Sequence, residues 1–174
     1  MVSLIPLTPA EGLLPLTIGN VSVTEVLAGP LTSVAPFKGQ HGAVSQALQD
    51  QIGVGLPAPN RRTSPVTWFG HGVWMVRGKV SVAGAAVTDQ SDAWVIVALM
   101  GRKAEDVLAR LVPVDLRATV FGKDHVAKTM LAHMPVTITR TGPEAFEIMA
   151  MRSMTGTLVH DLEVAMRALA ARGT

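Results

Sequence analysis

The stretch from Asp89 to Arg117, DQSDAWVIVALMGRKAEDVLARLVPVDLR, narrows the possible folds more than any other. It reads as a strand, a turn, a helix and a stop in direct succession. Ala93 to Leu99 is apolar at every position, which predicts a strand covered on both faces in the middle of a sheet, with Trp94 in the core. At Met100-Gly101-Arg102 the period changes. Ala104, Val107, Leu108 and Leu111 recur at helical spacing, leaving Lys103, Glu105, Asp106 and Arg110 for solvent. Asp106 and Arg110 stand one turn apart, where they can pair. Pro113 offers no N–H and biases Val112 away from helical angles, so the helix stops there.

Elements on either side follow the same logic. Residues 1–20 form an arm rich in Leu and Pro, with Glu11 as its only charged side chain. Disordered arms are usually polar, so this one is expected to dock on the body or on another subunit. The rest, residues 21–174, is expected to form a single domain. Val21 to Leu27 alternates as a strand, and Leu31 to Pro36 is its candidate partner. Val44, Leu48 and Ile52 mark a short helix over 42–52, and Val54 to Pro65 is a loop. Thr67 to Phe69 and Val73 to Val76 form a hairpin around Gly70-His71-Gly72. Ala85 to Thr88 is a strand candidate before the Trp94 strand.

Further on, Val126 to Leu131 and Val136 to Thr141 are strands, and Ala145 to Met149 returns antiparallel after Thr141-Gly142-Pro143-Glu144. Ser153 is placed to cap the last helix, whose buried stripe is Met154, Leu158, Leu162, Met166 and Leu169. Glu163 precedes Arg167 by one turn in the favourable orientation, and Gly173 closes the helix. The β-α-β-β-α order from Ala93 onward predicts an α+β, two-layer architecture, with helices on one face of a mainly antiparallel sheet.

Composition sharpens this. The chain has 174 residues, 48% hydrophobic and only 16% charged, against roughly 25% charged in an average soluble domain. So little charge points to an extra buried face against other chains. Cysteine is absent, which removes disulfides, thiolate nucleophiles and Cys-ligated zinc. No signal peptide is visible and no apolar run approaches the ~20 residues of a membrane span; a cytoplasmic protein with no membrane partner is expected. A net charge of +2 with no basic run beyond Arg61-Arg62 and Arg102-Lys103 gives no nucleic-acid footprint.

The pattern SDAW-(x)6-G-(x)5-VLARL-x-PVDLR, continued by Phe121-Gly122, AKTMLAHMP at 127–135, GPEAFEI at 142–148 and Arg152-Ser153, resembles the gamma subunit family of heterotetrameric sarcosine oxidase. The resemblance covers roughly residues 65–170. It implies the small folate-binding fold shared with the glycine-cleavage aminomethyltransferase. It also implies a non-catalytic accessory subunit that braces the alpha, beta and delta subunits during oxidative demethylation of sarcosine to glycine. In that family FAD, FMN, NAD and tetrahydrofolate sites belong to the alpha and beta chains and a zinc to delta. None of those cofactor residues maps onto this chain.

The residues themselves carry no catalytic, cofactor-binding or metal motif. His41, His71, His125, His133 and His160 show no HxH, HxxxH or HExxH spacing. His41 and His160 are expected on solvated helix faces, His71 in a turn, and His133 as a hydrogen-bonded structural residue. Gly53-Val54-Gly55 and Gly70-His71-Gly72 are too short to cradle a pyrophosphate and read as turns. Asp89 and Asp92 flank Ser91; a carboxylate pair can serve as acid and base, but a turn at the strand entrance is the commoner use. Two other functions compete: a stand-alone, folate-dependent aminomethyltransferase-like module, and an RNA-binding sheet. The first needs a larger chain, and the second lacks exposed aromatics among Lys and Arg. A homo-oligomer is possible for the isolated chain.

Overall fold

A computed structural model describes residues 7–173. The strands are β1 (Leu16–Ile18), β2 (Val21–Glu25), β3 (Leu31–Pro36), β4 (Arg62–Thr63), β5 (Val66–Gly70), β6 (Val73–Arg77), β7 (Ala85–Asp89), β8 (Trp94–Met100), β9 (Val126–Leu131), β10 (Met134–Gly142) and β11 (Ala145–Met151). Three helices accompany them: α1 (His41–Ile52), α2 (Ala104–Leu108) and α3 (Thr155–Ala170). The strands form two antiparallel sheets. The first has the order β1-β2-β8-β11-β10-β9 and the second β4-β5-β6-β3-β7.

Strand alternation explains how the sheets stack. Along β8 and β11, Val95, Val97, Leu99, Phe146 and Ile148 point to one face, where they pack with Leu108 of α2 and Leu158 and Leu162 of α3. Trp94, Ile96 and Met149 point to the other, where they meet Leu31, Phe69 and Met75 of the second sheet. The far face of that sheet carries Val34, Val66, Trp74 and Val76, which close on Val44 and Leu48 of α1. The α+β class with helices on one face of an antiparallel sheet is what the structure contains. That two-layer unit occurs twice, back to back, giving helices, sheet, sheet, helix.

Several local expectations change with this arrangement. Leu31 to Pro36 does not pair with β2: it lies in the second sheet between β6 and β7, and β2 pairs instead with β1 and β8. β3 parts from β2, and β7 from β8, because both belong to the second sheet, whose own apolar faces they help to build. β8 does sit centrally, between β2 and β11. Trp94, however, is half-buried at the rim of the inter-sheet layer, with its ring edge-on to Phe69 at 4.9 Å and its Nε1 donating to Gln90. The regular part of α2 ends at Leu108, and turns continue to Val112 before Pro113. Asp106 pairs with Lys103 at 3.3 Å, not with Arg110. Ser153 is exposed and makes no cap; a 3-10 turn over Arg152–Met154 leads into α3, and Thr155 Oγ1 donates to the Arg152 carbonyl. The expected Glu163–Arg167 pair forms at 2.6 Å.

Two glycines are required by geometry. Gly53 ends α1 in the left-handed conformation, φ +76°. Gly101, φ +128°, turns the chain from β8 towards α2, and a Cβ there would stand 1.9 Å from the Asn20 carbonyl oxygen. In the arm, β1 adds to the edge of the first sheet, Leu14 and Ile18 pack on its core, and Ala10 is buried with its N–H donating to Glu25. Leu4 and Ile5 of that arm lie outside the described residues.

Ile148, fully buried on a central strand, is a place where the packing can be tested. Ile148→Ala is expected to cost about 2–5 kcal/mol by cavity formation, and Trp94→Ala distinctly less, in denaturant unfolding. Equal costs would mean that Trp94 is core.

Candidate functional site

The inter-sheet layer is apolar at one end and ionic at the other. Glu147 projects from β11 towards the second sheet and receives Arg77 Nη2 at 2.6 Å and Arg62 Nη1 at 3.3 Å. Arg62 also bonds the Asp124 carboxylate at 2.7 Å. Thr137 and Thr139, the polar register of β10, are 4–5% exposed and line the same small cavity with Thr67. Four charged groups, balanced two against two, thus meet at this partly buried end of the layer, with Asp124 the most open to solvent. Each guanidinium already has its carboxylate. The arrangement can hold two sheets in register.

A second buried charge sits on the helix side. Arg140 continues the inward register of Val136 and Ile138 and is 1% exposed. Its fork bonds Glu105 of α2 at 2.6 Å, the Pro143 carbonyl at 2.6 Å and the Leu116 carbonyl, and its plane lies 4.4 Å from the centre of the Phe146 ring. Glu105, expected in solvent, therefore ties α2 to the sheet. The Arg140 Nε has no hydrogen-bond partner, so the fork is positioned for the two carbonyls and the carboxylate. Sequence reading missed both clusters. The available signal was an arginine and a glutamate at positions whose strand parity demands burial.

The residues singled out from sequence are dispersed. His41 stands at the start of α1, edge-on to Trp74 at 5.2 Å; His125 meets Phe121 at 5.7 Å; His71 and His160 are exposed. His133 is exposed in the β9–β10 turn. Among the described residues no three His, Asp or Glu side chains converge as metal ligands. Asp89 accepts from the Ser91 N–H at 2.9 Å and the Ser91 hydroxyl at 2.6 Å, which holds its carboxyl below the usual range, and Asp92 points away towards Arg152. That is a turn, not an acid–base pair. In the PVDLR segment, Arg117 grips Asp115 through side chain and backbone, lowering its pKa to about 2.

With the geometry established, the chain can be set beside known proteins. Its fold is similar to part of the glycine cleavage system aminomethyltransferase T from Bartonella henselae, with a TM-score of 0.55 at 17% identity, covering 84% of this chain and 46% of that one. A far fuller likeness is to a chain of the heterotetrameric sarcosine oxidase of Corynebacterium sp. U-96, solved with pyrrole 2-carboxylate. There the TM-score is 0.78 at 26% identity, over 95% of this chain and 96% of the other. In sequence the chain is 29% identical over 173 residues to sarcosine oxidase subunit gamma of Corynebacterium sp. strain P-1, covering 89% of this chain and 84% of that protein. No protein-family model matches the chain.

Two measurements probe these clusters. Arg140→Met should destabilise the protein by about 1–3 kcal/mol, because two carbonyls and Glu105 lose their donor. Arg140→Lys should recover only part of that, since an ammonium cannot reproduce the fork; full recovery in denaturant unfolding would reduce the site to its charge. For Asp115 the folded pKa is depressed, so its contribution is present above the ordinary aspartate value and lost as pH falls through about 2. An NMR titration should place the Asp115 midpoint near 2 in the native chain and in the ordinary carboxylate range in Arg117→Ala.

Proposed function

We propose that this chain is a non-catalytic accessory subunit, the gamma subunit, of a heterotetrameric sarcosine oxidase. It braces the large subunits while they demethylate sarcosine oxidatively to glycine. One observation carries the reading: the likeness to a chain of that oxidase runs end to end on both sides, 95% and 96%. The likeness to the aminomethyltransferase covers only 46% of that chain. In this reading FAD, FMN, NAD and tetrahydrofolate are held by the other subunits and the complex works in the cytoplasm. No helix among the described residues is long and apolar enough to cross a membrane.

Co-expression with the alpha, beta and delta subunits tests this directly. The chain is expected to elute with them in a single complex that produces hydrogen peroxide from sarcosine. Purified alone, it should be colourless and inactive. A chain that elutes apart from the large subunits, or that binds flavin by itself, overturns the reading.

A further inference from the structure

Sheet edges expose unpaired N–H and C=O groups, and natural proteins blunt them with charge, proline, bulges or brevity. Three of the four edges here are blunted. β1 has three residues and follows Pro15; β4 has two, and the chain before it bridges Arg61 to His125; β9 carries Lys128. β7 is different. Ala85-Ala86-Val87-Thr88 has no charged side chain, no proline and no bulge, and positions 86–89 are exposed. Asp89 at its end is turned onto Ser91.

The hydrogen-bond pattern identifies which groups are free. Gln90 N–H donates to the Leu31 carbonyl and Phe37 N–H to the Gly84 carbonyl, both at 2.8 Å. Antiparallel alternation in the register Val34 with Val87 then turns the backbone groups of residues 86 and 88 towards β3. The N–H and C=O of Ala85, Val87 and Asp89 point outward. They form a ladder with three rungs and one side missing.

We propose that β7 is a strand-addition site, and that its occupant is an extended, uncharged segment of a large oxidase subunit, which extends the five-stranded sheet to six. Main-chain rungs specify the chemistry, because only another extended backbone satisfies alternating donors and acceptors at this spacing. The small side chains of Ala85, Ala86 and Thr88 leave both faces open to the neighbour's residues. The occupant is assigned to a partner subunit on the accessory-subunit reading, on which this inference rests.

Proline at alternate positions separates the possibilities. Val87→Pro removes an outward N–H that no intrachain bond uses, so the chain should fold with an unchanged circular dichroism spectrum and unfolding midpoint. Thr88→Pro removes a rung to β3 and should destabilise the sheet. With the complete set of subunits, the native chain should co-purify and Val87→Pro should be lost from the complex. Val87→Lys, which keeps the N–H but adds edge charge, should weaken retention to an intermediate level. A Val87→Pro chain that folds and co-purifies as the native one does overturns the strand-addition site alone. Failure of the native chain to co-purify overturns the accessory reading instead. If Val87→Pro abolishes only a homodimer of the isolated chain, the edge receives a second copy and the assignment to a partner subunit is wrong.

Discussion

Glu147 is the residue on which the two sheets most depend. A carboxylate facing the interior between two sheets is unfavourable unless paired, and the chain supplies two guanidiniums from the opposite sheet. Arg77 comes from β6 and Arg62 from β4, so the pairs span the layer, while Phe69, Met75, Ile96 and Met149 fill the apolar end. Apolar packing tolerates small sliding; a carboxylate shared by two forks does not. The cluster therefore sets the register between sheets, and the helices on the outer faces follow the sheets that carry them.

Arg140 plays the corresponding part on the outside of the first sheet. By bonding Glu105, Leu116 and Pro143 together it joins α2, the segment after Pro113 and the β10–β11 turn. These three pieces contain much of the VLARL-x-PVDLR and GPEAFEI pattern that relates the chain to gamma subunits. That part of the pattern is thus a description of how a buried arginine is surrounded.

Period and parity made most elements legible from sequence. The all-apolar run before Met100 became a central strand, the Gly70-His71-Gly72 interruption became a hairpin turn, and the Leu158–Leu162–Met166 stripe became the buried side of α3. What could not be read was which strands share a sheet. Leu31 to Pro36 alternates equally well beside β2 or beside β6, and only the competition between two apolar faces decides. The same limit hid the ionic layer: Thr137 and Thr139 look like a solvated face until a second sheet covers them. Trp94 was misplaced because an apolar run says that both faces are covered, not how far the cover extends at its end. The candidate site was less legible than the fold, since Arg62, Arg77, Asp124 and Glu147 are scattered in sequence and share no spacing.

The two sheets also differ in how they are threaded. All five strands of the second come from one uninterrupted stretch, residues 31–89, whereas the first joins residues 16–25 to strands lying between 94 and 151. Growing from its N-terminus, the chain finishes the second sheet while β1 and β2 still lack the neighbour that completes them. Contacts so distant in sequence close late. The nascent chain therefore carries its first hairpin unsatisfied through much of synthesis, and the arginines of the earlier sheet are already in place when Glu147 arrives to lock the two together.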